Sequence, residues 1–308
     1  MSGYDLSYVA LATNDAPGLA EMFGNTLGLE GERMAAPGGE VYVFPAGASA
    51  IAVFDKDHPL LDRPGETGVD HIALATDDPA KAAADHRLAA FANSHEAGVG
   101  NRKQVRIDPT TTAGVRVRFA EPIDKPKATP GRVERIDHLG LASLDVSADE
   151  AIFATNLGCA VESRQTDMEV RTVVESFTSD KYGAVYHNRA PEPVGGLRVL
   201  FISVGDFEME FLQEFDPNYD RVVEANQAGT TKQDQSAIGR FVDRRGAGLH
   251  HLALKTPDID EALGHLAARG HRVIDTIGRP GSRRARIGFV HPAALGGVLL
   301  HFVERDEL

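Results

Sequence analysis

Apolar and polar positions alternate with a period of two in four short stretches of this chain. They are Tyr8-Val-Ala-Leu-Ala-Thr, His71-Ile-Ala-Leu-Ala-Thr, His138-Leu-Gly-Leu-Ala-Ser and His251-Leu-Ala-Leu-Lys-Thr. That period is the signature of a half-buried strand. One face of each strand carries Val, Ile or Leu and suits packing against a helix. The other face carries the ring residue followed by Ala or Gly, which leaves space beside the imidazole, as a cavity would need. A helix entry follows each strand. In the last copy Thr256 is the expected N-cap, Pro257 suits the first helical position, and Asp258 and Asp260 favour the positive helix end. Ile259, Ala262, Leu263, Leu266 and Ala267 form one apolar stripe, which Gly270 stops. Asn14-Asp15-Ala16-Pro17 and Asp77-Asp78-Pro79 give the earlier copies similar entries.

A second match supports duplication. Asp108 to Glu121 aligns without gaps on His291 to Glu304, with Pro, Gly, Val, Phe and Glu at matched positions. Between the two regions, Pro122 to Gly131 is rich in proline and reads as a semi-rigid linker. The expected fold class is α+β: four βαβββ modules in two paired halves, residues 1–125 and 132–308.

Composition narrows the function classes. Lys+Arg number 32 against 45 Asp+Glu, a formal net charge of −13, which disfavours nucleic acid and anionic membranes as partners. Tryptophan is absent and aromatics are 6%, so stacking platforms for bases are not expected. No apolar run reaches the roughly 20 residues of a membrane span, and the first residues show no signal-peptide pattern. Cys159 is the only cysteine, which excludes a disulfide within the chain and reads as a small buried apolar residue. The expected compartment is the cytoplasm.

The candidate chemistry lies in the C-terminal half. Its two first strands offer His138 and His251, and its two last strands offer Glu210 and His301 at one aligned position. Three imidazoles and a carboxylate from four equivalent strands suit one divalent metal ion: Co, Zn, Mn, Ni or Fe. The N-terminal half supplies a control, with Tyr8, a position near Ala52, His71 and Arg118 in the corresponding places. Only one of these is a ligand type, and the arginine opposes a cation. Histidines filling polar gaps on a sheet face remain the structural alternative. His250 is expected on the opposite side of its strand from His251, as a supporting or packing residue, and His291 in a turn or at a strand end. His58, His86, His95, His265 and His271 have surface-type surroundings.

The four modules resemble the vicinal oxygen chelate superfamily, which includes glyoxalase I, methylmalonyl-CoA epimerase and extradiol and 4-hydroxyphenylpyruvate dioxygenases. Ser236 to Leu254 together with Gly281 to Glu304 is similar to the C-terminal module of methylmalonyl-CoA epimerases. The resemblance implies a glyoxalase-like fold with His138, Glu210, His251 and His301 around the metal. His301 stands where that family usually has glutamate, and Glu304 lies on the other strand face. The resemblance further implies proton transfer through a metal-stabilised enolate, with Glu192 of Pro191-Glu192 as base; a solvated loop glutamate is the alternative.

Arg279, Arg283, Arg284 and Arg286 cluster in one Gly/Pro-containing loop and are candidates for binding an anionic substrate, Arg283 and Arg284 foremost, with a solvated basic loop as the alternative. The leading expectation is an isomerase or epimerase acting on a small molecule with adjacent oxygens. A non-haem iron ring-cleaving or 2-oxo-acid-type dioxygenase, a lyase, and a metal-free small-molecule binding or resistance protein are the alternatives. A homo-oligomer is left open, because one chain already holds both module pairs.

Overall fold

The computed structural model describes residues 3–91, 97–129, 131–217, 229, 234 and 236–306. The N-terminal half runs β1 (Asp5–Thr13), α1 (Ala16–Glu21), β2 (Glu32–Ala36), β3 (Gly39–Ala46), β4 (Ser49–Asp55), β5 (Gly68–Ala75), α2 (Pro79–Asp85), β6 (Gln104–Arg106) and β7 (Val117–Ala120). The C-terminal half opens with β8 (Arg135–Ala142), α3 (Val146–Glu150), β9 (Ala160–Arg171), β10 (Val174–Ser179), β11 (Gly183–Asn188), β12 (Glu192–Val204) and β13 (Phe207–Phe215). It closes with α4 (Ser236–Arg245), β14 (Gly248–Lys255), α5 (Ile259–Ala268), β15 (Arg279–Pro280), β16 (Arg286–Val290) and β17 (Leu300–Glu304).

Each half builds one mixed sheet. The first has the order β2-β3-β4-β1-β5-β7-β6, the second β15-β16-β17-β14-β8-β13-β12-β9, and β10 and β11 form a separate ribbon. All four sequence motifs are first strands of modules, and each pairs in parallel with its module's last strand: β1 with β4, β5 with β7, β8 with β13, β14 with β17. The modules meet where first strands pair antiparallel, β1 with β5 and β8 with β14. The chain thus has the paired, curled-sheet α+β fold that the repeat predicts.

Helices begin where the pattern places them, with one correction. Asp15, Asp78, Asp145 and Asp258 are the N-caps, each accepting a backbone N–H from the first turn. The cap of α5 is therefore Asp258, so Pro257 precedes the helix instead of opening it, and the Thr256 hydroxyl donates to the Asp258 carbonyl at 3.2 Å. His291 and Asp108 share a role as well as an alignment: each accepts a backbone N–H two residues ahead and opens a short 3₁₀ turn. The Val and Leu faces of both sheets and their helices merge into one apolar core, from Leu6, Val9 and Leu11 to Leu300 and Phe302. Cys159 belongs to it, with its thiol pushed up to about 11 by burial. His58 and His86 are partly buried rather than surface residues; His86 Nε2 bonds the Tyr4 hydroxyl at 2.7 Å. His95 and Pro130 lie outside the described residues. Among the described residues no helix is long and apolar enough to cross a membrane.

Candidate metal centre

Strand register sets the site. His138 on β8 lies opposite Ala253 on β14, and His251 on β14 lies opposite Gly140 on β8, so small residues flank both rings. Ala253 also pairs with His301 on β17, and Gly140 pairs with Glu210 on β13. Directly paired residues share a sheet face, so all four side chains enter the concave side together. The N-terminal sheet repeats this register: Tyr8 opposite Ala73, His71 opposite Ala10, Arg118 beside Ala73 and Ala52 beside Ala10. The equivalences drawn from the alignment are thus structural ones.

One donor atom from each of His138, His251 and His301 lies within 4.8 Å of the others. Glu210 Oε2 lies 3.3 Å from His138 Nε2 and 3.8 Å from His251 Nε2. All four residues are buried. His138 Nε2, His251 Nε2 and both nitrogens of His301 have no hydrogen-bond partner among the described residues. Buried polar atoms are almost always partnered, so three rings that each bring one donor atom to a common centre suit a ligand held between them. Burial keeps His251 and His301 far below the usual histidine pKa, with neighbouring imidazoles adding to the effect, so both are neutral donors. Burial opposes charge on His138 too, but Glu210 and Asp137 outweigh it and push its pKa up to about 9. Glu210 itself is held low: burial resists ionisation, but His138 and His251 overcome it.

A second tier of contacts orients the rings. Register slips fall at Leu249/His251 on β14 and Ala253/Leu254, opposite His138/Ile136, so His250 and Asp137 each bulge from the ladder. A bulge places a residue beside its neighbour instead of across the sheet. His138 Nδ1 accordingly donates to Asp137 Oδ1 at 2.7 Å, and the Nδ1 atoms of His250 and His251 bond at 2.9 Å. Both arrangements leave Nε2 for the centre, the usual support for a metal-ligating histidine. His250 thus does not turn away as simple alternation suggests; the bulge brings it alongside His251. Asp137 is held down to about 2: burial would raise it, and the His138 bond and Arg305 prevail.

The N-terminal cluster is closed. Leu60 and Leu61 fill its concave face with Tyr8, Val43 and Phe54. The fully buried Arg118 pairs with Asp62 at 2.5 Å at the position His301 holds in the other half. Asp70 bonds His71 Nδ1 at 2.6 Å, and His71 Nε2 reaches the Tyr8 hydroxyl at 3.4 Å.

The other expected site residues fall differently. Glu192 is not brought to the centre. It opens β12, ion-paired with Arg171 at 2.9 Å, nine residues up the strand from Phe201, the residue opposite Glu210. At the rise of an extended strand that is on the order of 30 Å. The cause is the length of β12 and β9, which carry Glu192 out toward the β10–β11 ribbon. Arg283 does reach the concave face, but its terminal nitrogens pair with Glu208 at 2.5 Å and Glu162 at 3.1 Å while it lies over the Phe201 ring at 3.7 Å. Arg284 is exposed and turned to an outer crevice shared with Lys255, Arg286 and Glu304. Glu304 faces the helix side as expected, accepting the Ile259 N–H at 2.8 Å.

One residue escapes a sequence reading. Asp167 on β9 pairs with Leu197, which pairs with Glu214, on the face that bears Glu210. Burial holds its pKa up and the Glu210 charge adds to that. Arg279 on β15 joins the same face at the other end. The strand ladder reveals Asp167 and sets Arg279 apart from its loop neighbours.

Residues 137–289 match the Glyoxalase/Bleomycin resistance/Dioxygenase superfamily. The mitochondrial methylmalonyl-CoA epimerase of Dictyostelium discoideum is 27% identical over 131 residues, covering 41% of this chain and 69% of that protein. The mitochondrial methylmalonyl-CoA epimerase of Homo sapiens is 21% identical over 214 residues, covering 70% and 96%. Among solved structures, a variant of 4-hydroxymandelate synthase from Streptomyces coelicolor superposes on 99% of this chain and 94% of its own, with a TM-score of 0.63 at 14% identity. That last likeness is one of fold, and it spans both halves.

Proposed function

We propose that this chain, which carries a glyoxalase/bleomycin resistance/dioxygenase superfamily domain, is a divalent-metal-dependent isomerase or epimerase of a small carbonyl or acyl substrate with adjacent oxygens. The observation that supports it is the meeting of His138, His251, His301 and Glu210 on one concave face, where His251 Nε2 and both His301 nitrogens are buried without a hydrogen-bond partner among the described residues. The donor set fits a divalent ion: the neutral imidazoles of His251 and His301, His138 once an ion displaces its proton, and one carboxylate suit Co, Zn, Mn, Ni or Fe. Held by His138, Glu210, His251 and His301, such an ion would supply positive charge that favours negative charge developing on a substrate oxygen.

The chain's own residues do the rest. Asp137 and His250 fix which nitrogen of His138 and His251 faces the substrate. Helix α4 packs Ile238 and Phe241 on Val199, Phe201 and Leu212, walling the concave face from water. Asp167 takes the place expected of Glu192 as the carboxylate that moves the proton. Its raised pKa makes it a stronger base than an exposed aspartate, as proton abstraction requires.

Metal analysis of the wild type beside His251→Ala tests the centre. About one divalent ion per chain, lost in the variant with the fold retained, supports it; equal metal in both refutes the ligand assignment. Deuterium exchange from solvent into an acyl-CoA or 2-oxo-acid panel, followed by NMR, then tests the reaction. Exchange that falls about 10²–10⁴-fold in Asp167→Asn supports the base. Bound iron with oxygen uptake and no exchange would replace this reading with dioxygenase chemistry. No metal in either protein after reconstitution would leave a binding cavity.

A further inference from the structure

The concave face of the second sheet continues past the metal-ligating cluster onto β16 and β15. His301 pairs with Phe289, and two residues along β16 Ile287 pairs with Arg279. Paired and alternate residues share a face, so Arg279, Ile287, Phe289 and His301 form one surface. Phe289 stands edge-on to His301 with ring centroids 4.5 Å apart, and the Arg279 guanidinium lies over that phenyl ring, 5.5 Å from its centroid. The guanidinium is thus one aromatic ring away from the cluster.

Its bonding is incomplete. Arg279 Nε donates to Asp275 Oδ1 at 3.2 Å, while the other oxygen of Asp275 accepts the Phe289 N–H at 2.9 Å. Arg279 Nη1 is buried and has no hydrogen-bond partner among the described residues. A guanidinium presents its donors as a planar fork matched to carboxylates. Here the ion pair with Asp275 fixes the fork at Nε and leaves Nη1 to donate elsewhere. Arg283 is the contrast at the opposite end of the face: both its terminal nitrogens pair with Glu208 and Glu162. A divalent ion beside the single carboxylate of Glu210 would leave the centre positive, which favours an anion on this side.

We infer that Arg279 is the residue that selects an anionic substrate, its Nη1 donating to a carboxylate carried by the molecule whose other end lies at the His138–Glu210–His251–His301 cluster. The ring of Phe289 forms the floor between the two anchors. This deepens the metal-centre reading and rests on it for the position of the substrate's other end.

The probes are malonate and its uncharged diamide, malonamide, titrated calorimetrically into the full-length chain with and without cobalt. Wild type is expected to bind malonate more tightly than malonamide. Arg279→Met is expected to lose about ten- to hundredfold in malonate affinity, the range of a hydrogen bond to a charged group, with malonamide binding and cobalt content unchanged. Arg279→Lys, which keeps the charge and loses the fork, is expected to fall between. Arg284→Met removes an exposed cation of the same loop that faces the outer crevice and should hold malonate affinity, so an equal loss there overturns the assignment to Arg279, and Arg279→Lys keeps the test open where Arg279→Met folds poorly. Cobalt uptake with malonate affinity indifferent to Arg279 overturns the inference and leaves the metal centre standing. Arg279-dependent malonate binding in a chain that takes up no cobalt keeps the anion site and overturns the metal reading. Neither uptake nor malonate binding overturns both.

Discussion

Replacing Arg118 by methionine tests whether the N-terminal half has a guanidinium built into the place of a cation. The Arg118 side chain is fully buried and Asp62 nearly so, 2.5 Å apart. The same guanidinium donates to the Leu60 carbonyl at 2.5 Å and to Gln104 Oε1 at 3.2 Å. Methionine fills similar space and removes all three bonds. Breaking a buried ion pair costs about 3–5 kcal/mol, because the remaining charge is left in a dry site. Arg106, 3.0 Å from Asp62 and partly exposed, offsets some of that, so about 3 kcal/mol is the expected loss. At roughly 2–4 °C per kcal/mol for a chain of more than 150 residues, the melting temperature should fall by about 6–12 °C. Urea unfolding followed by circular dichroism gives the free energy, and calorimetry the temperature. Metal content should not change, since the other cluster is untouched. A loss under about 1 kcal/mol in a folded variant would show that Arg118 does not neutralise this pocket.

A Cβ built on Gly140 falls inside the His251 ring, so Gly140→Ala should displace the imidazole and abolish metal uptake while the circular dichroism spectrum persists. Burial, with Asp145 adding to it and the Ser143 hydroxyl opposing, raises Asp149 to about 7. An acid whose folded pKa exceeds its unfolded value binds its proton more tightly in the folded chain. Its stabilisation is complete below the unfolded value near pH 4 and lost as pH rises to 7, so Asp149→Asn should gain up to about 4 kcal/mol at pH 8 and nothing at pH 4. A gain independent of pH in urea titrations would contradict this. The Cys159 thiol, buried and raised to about 11, should resist iodoacetamide in the folded chain and react once urea unfolds it, as mass spectrometry can follow.

Much of the architecture was legible because duplication repeats its own signals. Period-two motifs marked the four central strands, and the gapless match of Asp108–Glu121 on His291–Glu304 placed Arg118 and His301 at one position, which the shared pairing to Ala73 and Ala253 bears out. The insertion in the third module broke that logic. The spacing of Pro191-Glu192 from Glu210 assumes a short hairpin, whereas a long ribbon carries Glu192 far from the cluster. Linear distance along a chain does not reveal how far a strand extends before it turns. The partners of Arg283 were equally hidden, since Glu162 and Glu208 come from other strands. Asp167 was invisible and Arg279 could not be told from its loop neighbours for the same reason: each belongs to the concave face only through a neighbouring strand's register.

The bulges have an evolutionary consequence. In every module the pairing of first strands skips the residue just before the site position: Ser7, Asp70, Asp137 and His250. Such a residue carries no rung of the ladder, so it can change without shifting the strand. Three of the four bond the next ring, two through a carboxylate and one through an imidazole. A carboxylate there makes the imidazole more electron-rich, whereas a second imidazole does so less. Electron donation by each histidine is therefore adjustable by one substitution that the sheet does not sense. Through such neighbours a duplicated scaffold can shift its preference among ions, and hence among reactions, while the geometry of its donor atoms is inherited unchanged.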